Sequence, residues 1–349
     1  MTTYIPDLTV KNKETAQIIS LQHISDSISG ISRKRYGTKF VYYHPDGTRI
    51  VDKSIINRIN SLAIPPAYKD VWISPESNGH IQATGRDIKN RKQYRYHPLW
   101  HQIRQENKFT AMIAFGKMLP LIRENIQLEL TKSLTMDKNQ IICAIIYLLD
   151  NHFIRIGNAI YEKQNKSYGL TTLRKKHLSL SSSKAVLDFE GKNSRPWHVV
   201  LKDKKIINIL KKCEAIPGYR LFKYLDENNN HIEIKSQDIN DYLHNLTNVS
   251  FTAKDFRTWA ACRETLYRLT QINYNDEGTS QEILKTIISE VASILGHTPA
   301  ICQKCYIYPD IITKWKEEKI QLWFEKKTKL SRDKDKLLLH WLEDHMVIN

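Results

Sequence analysis

"GHTPAICQKCYIYPD", residues 296–310, places one histidine, two cysteines and two tyrosines within fifteen positions. Two folds compete for it. If Cys302 and Cys305 hold zinc, the C-terminal part of the chain is built around a metal knuckle. If they do not, the stretch is a helix end, a turn and a short helix that present His297 and Tyr306. A closed zinc site needs a full tetrahedral set of Cys or His ligands, commonly a second C-x-x-C or an H-x-x-x-H. The other cysteines, Cys143, Cys213 and Cys262, stand singly within apolar helical patterns, so no second pair exists. A redox pair would sit at a strand-to-helix junction, and no such pattern precedes it. Cys302 and Cys305 are spaced to share one helix face, where a free cysteine acts as a small hydrophobe. The helical reading is therefore adopted. Thr298 caps the short helix and Pro299 occupies its first position.

Over 349 residues, lysine and arginine number 53 against 37 aspartate and glutamate, a formal net charge of +16. No poly-lysine tail carries the excess. Such a chain favours a polyanionic partner, because each neutralised phosphate releases condensed counterions. A basic surface kept for solubility is the plainer alternative. Hydrophobic residues at 41% and charged ones at 26% fit a soluble globular protein, long enough for one large domain or two ordinary ones. The longest apolar run, "IICAIIYLL" at 141–149, falls well short of the roughly 20 residues a membrane span needs. It reads as a buried helix, and no membrane partner is expected. "MTTYIPDLTV" shows no basic segment followed by an apolar run. Five cysteines, an odd count, argue for a reducing compartment rather than a disulfide framework. A cytoplasmic protein is the expectation.

Residues 1–105 read as a small β-rich domain. "KFVYYH" and "TRIVD" flank "PDG" (45–47) as a predicted hairpin. A short helix follows at about 54–62, with Ile55, Ile59 and Leu62 on one face, and "DVWIS" and "HIQAT" are predicted strands around "PESNG". From 106 to 349 the periodicity is mainly helical. Phe109, Met112, Leu119, Ile122 and Ile126 recur at helix spacing, and Asp137 with Gln140 forms a predicted capping box. "AVLDFEG" and "PWHVVL" read as strands joined by "KNSR", and "RLFKY" pairs with "HIEIK". Helices are predicted at about 203–213, 253–270 and 280–295, with a charged, solvated amphipathic helix beyond 312.

In the β-rich part, "GRDIKNRKQYRYHP" (85–98) interleaves basic residues with Tyr94 and Tyr96, a pattern that grips phosphate while rings meet sugars or bases. A charged edge strand with tyrosine as a good β-former reads equally well. In the helical part, Arg155 ends an apolar helix, Lys192 sits in a hairpin loop and Arg257 opens a helix. His297 follows a helix-ending glycine, and Tyr306 lies nine residues on. Singly, each has a plain surface reading.

Together these segments resemble the type IB DNA topoisomerases, in the compact poxvirus-like and bacterial form. The resemblance runs from about Tyr36 to Ile312. It rests on "AIPPAYKDVWISPESNGHIQATGRDIKNRKQYRYHP" (63–98), "RIGN" (155–158), "YGLTTLRKKH" (168–177), "GK" (191–192), "KDFRTW" (254–259), "LGHTPA" (295–300) and "YIYP" (306–309). It implies an α+β fold: a β-rich N-terminal domain and a larger, mainly helical catalytic domain with a β-hairpin, forming a clamp around double-stranded DNA. It implies Tyr306 as nucleophile, forming a 3′-phosphotyrosyl bond. Arg155, Arg257 and His297 would hold the nonbridging oxygens, and Lys192 would protonate the leaving 5′-oxygen with Lys254 in support. Gln93, Tyr94, Tyr96 and Tyr161 would touch DNA. No metal, no ATP and no obligate protein partner are implied, and a single chain would act alone. Two arginines and a histidine can supply the positive charge that a metal supplies elsewhere.

Of the two tyrosines, Tyr308 directly precedes Pro309, which pushes it away from helical geometry, and it stands where the family commonly has histidine. The C-x-x-C and the extension beyond 312 depart from the family's pattern. A tyrosine recombinase would share the constellation but usually carries H-x-x-R where this chain has Lys254 three residues before Arg257. A basic DNA-binding protein with a zinc knuckle is the non-enzymatic rival.

Overall fold

The computed structural model describes residues 21–132, 137–272, 277–326 and 333–346. The fold is mixed α+β. Its first strands are β1 (Ile31–Tyr36), β2 (Lys39–Tyr43), β3 (Lys69–Ile73), β4 (Ile81–Arg86) and β5 (Lys92–Tyr96). They form an antiparallel sheet in the order β2-β1-β3-β4-β5. Helix α1 (Lys53–Ser61) covers one face, with Ile59 joining Ile31, Tyr42, Ile50, Ile73 and Ala83 in a common core.

The turn expected across "PDG" forms, with His44 N–H donating to Thr48 O at 2.8 Å and Ile50 N–H to Tyr42 O at 2.9 Å, but its second arm is too short to make a strand. β2 pairs instead with β1 across Gly37, whose φ of +60° suits the tight turn. "TRIVD" contributes a single bridge, Tyr43 to Arg49. The reason is local: the Asp52 side chain accepts from the Ser54 N–H at 2.7 Å and starts α1 there, leaving no length for a strand.

Helix α2 spans Pro98–Thr131, so it starts before the expected 105/106 boundary. The described residues divide within it into two compact units, one up to Phe109 and one from Thr110. The second unit holds α3 (Lys138–His152), α4 (Ala159–Asn165) and a sheet of β6 (Leu178–Leu180), β7 (Ala185–Gly191) and β8 (Arg195–Leu201). It continues with α5 (Lys204–Ala215), β9 (Lys223–Leu225), β10 (His231–Glu233), α6 (Ser236–Thr247), α7 (Ala253–Thr270) and α8 (Glu277–Ile294). The last helices are α9 (Pro299–Cys305), α10 (Pro309–Lys316), α11 (Lys319–Glu325) and α12 (Lys334–His345). The Asp137 side chain caps α3 by accepting from the Gln140 N–H. The reciprocal half of the capping box is absent, because the Gln140 amide turns back to the carbonyls of Glu129 and Lys132. No helix among the described residues is long and apolar enough to cross a membrane.

At the centre of this unit lies α7, packed against α3, α8 and α12. Its Trp259 ring lies so close to α2 that a β-carbon at Gly116 would sit 2.3 Å from it. The C-terminal extension is not the solvated helix expected from its charge. Leu337, Leu338, Trp341 and Leu342 of α12 are fully buried. Asp335 accepts from Trp259 Nε1 at 2.6 Å, Arg123 at 2.8 Å and Arg263 at 3.1 Å. Asp335 and Lys334 are spent on part-buried ion pairs, Lys334 with Glu264 at 3.2 Å, while apolar residues on the same helix complete the core. Trp341→Ala should therefore destabilise the protein by about 3–5 kcal/mol, the usual cost of emptying a buried tryptophan site. Urea denaturation measures this; an unchanged midpoint would mean that α12 is not part of the core.

Candidate active site

The site is assembled from three backbone irregularities. The first ends α3: Phe153 takes the left-handed conformation (φ 56°), and the chain leaves the helix as the extended loop 154–158. Arg155 thus lies beyond the helix rather than at its end. The loop is fastened to the segment after α4. Leu170 N–H donates to Arg155 O at 2.9 Å and Thr171 N–H to Ile156 O at 2.7 Å. Gly157 (φ 94°) and Gly169 touch back to back, since a β-carbon on Gly169 would fall 2.4 Å from Gly157 N. "RIGN" and "YGLTT" are therefore one structural piece, and neither glycine can gain a side chain in place.

The second irregularity ends α8. Gly296 (φ 61°) turns the chain so that His297 N–H donates to Ala292 O at 2.7 Å. The carbonyls freed from the helix ladder point at guanidinium groups: Leu295 O accepts from Arg257, and Gly296 O accepts from Arg155 at 3.0 Å. Arg257, opening α7, also donates to Phe153 O. Its Nη2 meets His297 Nε2 at 2.7 Å. Arginine only donates, so Nε2 accepts and the imidazole is neutral with its proton on Nδ1.

The third is the end of α9. Tyr306 caps it, its N–H donating to Cys302 O at 3.0 Å. The Cys262 thiol of α7 donates to Tyr306 O at 3.1 Å, and its sulfur accepts from Tyr308 N–H at 3.2 Å. The Tyr306 ring lies 4.0 Å from that of His297, centroid to centroid. Cys302 is buried and Cys305 exposed, so the pair does not present one common face. Among the described residues no cluster of His, Cys, Asp and Glu could hold a metal ion.

Arg155, Tyr161, Lys192, Lys254, Arg257 and Tyr306 line one cavity of about 550 Å³. Tyr308 does not line it. Lys192 Nζ stands 5.5 Å above the centre of the Tyr161 ring. His297, only 3% exposed, lies behind, reaching the site through Arg257 and Tyr306. Sequence reasoning passed over Asn158 and Tyr168, which also line the cavity, and treated Cys262 as core filling. The placement of Cys262 on α7, between one and two turns from Arg257, was the available signal.

The electrostatics are one-sided. Arg155 and Arg257 donate to backbone carbonyls and to an imidazole rather than to carboxylates. Burial, and then Arg155, push Arg257 down to about 10; burial likewise lowers Arg155. His297 is pushed down to about 3 by burial first, then by Arg257 and Arg155. Three buried donors of this cluster lack a partner among the described residues: Arg155 Nη1, Arg257 Nε and His297 Nδ1. Buried donors are nearly always paired, so the cluster is short of an acceptor, and its charge calls for an anionic one.

In the first unit, Tyr94 and Tyr96 of the edge strand β5 stack with centroids 5.8 Å apart. Gln93 does not join them; its amide donates to Asp87 at 3.1 Å.

A family profile described as "Eukaryotic DNA topoisomerase I, catalytic core" matches residues 98–334. A second, "Bacterial DNA topoisomerase IB, N-terminal domain", matches residues 39–87. The chain is 33% identical over 291 residues to DNA topoisomerase 1B of Acanthamoeba polyphaga mimivirus, covering 80% of this chain and 85% of that one. The chain belongs to the type IB DNA topoisomerase family. It is also 25% identical over 295 residues to DNA topoisomerase 1B of Vaccinia virus (strain Copenhagen), covering 79% and 90%. To DNA topoisomerase 1 of Candida albicans it is 27% identical over 169 residues, 46% of this chain and 20% of that one. For a type IB topoisomerase, helix α12 is notable in lying almost wholly beyond the catalytic-core match.

A neutral buried histidine has a consequence for stability. The unfolded chain takes up a proton at His297 below about pH 6.5, whereas the folded chain refuses it down to about pH 3. Stability should therefore fall as pH drops through that window. His177, pushed down to about 4 chiefly by burial, adds a contribution of the same sign. His297→Gln should show a smaller loss between pH 7 and pH 5 than wild type. Denaturant midpoints at the two pH values test this, and identical pH dependence in both proteins would rule against a neutral His297.

Proposed function

We propose that this chain relaxes supercoiled duplex DNA by cutting and resealing one strand through a 3′-phosphotyrosyl intermediate, without ATP or metal. The observation that carries the reading is that Arg155 and Arg257, each with an unpartnered buried donor, line one cavity with Tyr306, while His297 packs behind against Arg257 and the Tyr306 ring. Phosphoryl transfer asks mainly for positioning and for stabilisation of charge on the equatorial oxygens. A scissile phosphate seated here would give the Arg155 and Arg257 donors an acceptor and set the Tyr306 oxygen against phosphorus, with His297 the proposed third donor to a nonbridging oxygen. Tyr306 gives its phenolic proton to solvent, the developing phenolate being stabilised by the neighbouring guanidinium groups; as the tyrosyl O–P bond forms, the P–O bond to the 5′ side breaks. The departing 5′-oxygen takes a proton from Lys192, with Lys254 in support, and leaves as a hydroxyl. One diester replaces another, so the bond energy is conserved. The free 5′ end rotates, then attacks phosphorus to reseal the strand. Tyr161 on the cavity wall and Tyr94, Tyr96 and Gln93 on β5 are proposed DNA contacts, with the chain acting alone as a clamp on double-stranded DNA in the cytoplasm.

Tyr306→Phe keeps the ring and removes only the nucleophilic oxygen. It should bind duplex DNA yet neither relax supercoiled plasmid nor form a covalent adduct, while wild type relaxes plasmid in excess EDTA. A denaturing gel that shows an adduct with Tyr306→Phe would overturn the assignment.

Lys192→Ala should slow cleavage by about 10²–10⁴-fold, the usual worth of a positioned general acid. Replacing the bridging 5′-oxygen by sulfur gives a leaving thiolate that needs no proton. On that substrate Lys192→Ala should cleave nearly as fast as wild type, whereas Arg257→Ala should stay slow. Failure of sulfur to rescue Lys192→Ala would move the lysine from acid to phosphate holder.

A further inference from the structure

The turn that ends α8 has a third arginine. Leu295, Gly296 and His297 are consecutive, and each carbonyl accepts from a different guanidinium: Arg257, Arg155 and Arg195 respectively. The first two stand in the proposed chemistry. The third comes from the hairpin of β7 and β8, where Arg195 sits directly across from Gly191 in the ladder. Lys192 is the residue after Gly191, so Arg195 closes the other side of the loop that carries it. That loop, 192–194, has two non-glycine residues in the left-handed region, Asn193 (φ 62°) and Ser194 (φ 55°). Asn193 suits that region and the geometry closes the hairpin tightly, but the loop's own conformation does not fix the hairpin against the turn after α8.

Trp197 provides a second fastening on the same side of β8. Its ring fills the space where a β-carbon would stand at Gly191 (2.6 Å) and at Gly296 (2.7 Å). One indole is thus wedged between the residue before Lys192 and the residue before His297. Lys192 itself is exposed and its ammonium reaches over the Tyr161 ring. Its placement relative to Tyr306 is therefore set by how the hairpin is fastened.

We infer that Arg195 is a positioning residue: its bond to the His297 carbonyl pins the hairpin to the turn and places Lys192 against the scissile phosphate. This rests on the role proposed for Lys192 above. Misplacing a catalytic group by about 1 Å can cost on the order of 10²-fold in rate.

The test is a double-variant cycle on single-turnover cleavage of a duplex oligonucleotide. Arg195→Ala should slow cleavage by roughly 10- to 100-fold while duplex binding and the denaturation midpoint stay near wild type. In a Lys192→Ala background the same change should add almost nothing, because the group it positions is gone. Arg195→Lys, which keeps the charge without the planar fork, should recover only part of the rate and guards against misfolding of the alanine variant. Bridging sulfur should rescue Arg195→Ala as it rescues Lys192→Ala. Full multiplication of the two defects would overturn the inference, as would an unchanged rate in Arg195→Ala; the first would mean that Arg195 acts on DNA by itself. The non-additivity holds whether Lys192 is an acid or a phosphate holder, and adduct formation by wild type reports on the proposed reaction separately.

Discussion

A buried guanidinium held by neutral dipoles sets the terms for the catalytic unit. Arg257 is 3% exposed, and removing such an ion from water costs several kcal/mol even after relaxation. Two carbonyls repay part of that, one at the end of α8, where the helix dipole concentrates about half a negative charge, and one at Phe153. Arg155 adds a second cation nearby and raises the demand. The result is a site with excess positive charge and ready donors, its arginines held by dipoles instead of counter-ions. His297 stays neutral because burial, and then the neighbouring Arg257 and Arg155 cations, disfavour a charge there. A neutral N–H can still donate to a phosphate oxygen.

The same demand explains the backbone. A carbonyl turns toward a guanidinium only where the helix stops obeying its own ladder. Phe153 and Gly296 stop α3 and α8 in the left-handed region, releasing carbonyls into one small volume. Gly157 then lets the Arg155 loop lie against Gly169 without a side chain between them. Strain of this kind is sustained where surrounding structure over-determines it. Here the over-determination comes from the arginines themselves.

What the sequence made legible follows from this. Apolar periodicity located the helices that bury α7, and the "KNSR" loop was visible between two strands. Resemblance supplied the residues now found around the cavity, Tyr306, Arg155, Arg257, Lys192 and Lys254. What stayed hidden were the choices made by polar groups with several partners in reach. Gln140 turned to Glu129 and Lys132 rather than completing a cap, and Asp52 ended a predicted strand by starting a helix. Phe153 carries no sign of a left-handed residue, so Arg155 was placed at a helix end instead of in a loop. The charge of the last helix read as solvation, because nothing in α12 announces that Asp335 has three donors waiting on α2 and α7.

That last misreading points to how the site keeps its dimensions. Arg257 and Cys262 lie on the same helix, five residues and so roughly 7.5 Å apart along its axis. Arg257 holds the turn before His297, and Cys262 holds the backbone on both sides of Ile307. The separation between proposed phosphate ligand and proposed nucleophile is thereby tied to a rigid helical rise rather than to a loop. Catalytic constellations need placement within about half an ångström, and a helix delivers that only if it cannot shift along its axis. Trp259 and Arg263, between and beside those two residues, are held by Asp335 of α12. The extension thus bears on the proposed chemistry without touching the cavity, by fixing the helix on which the spacing is measured.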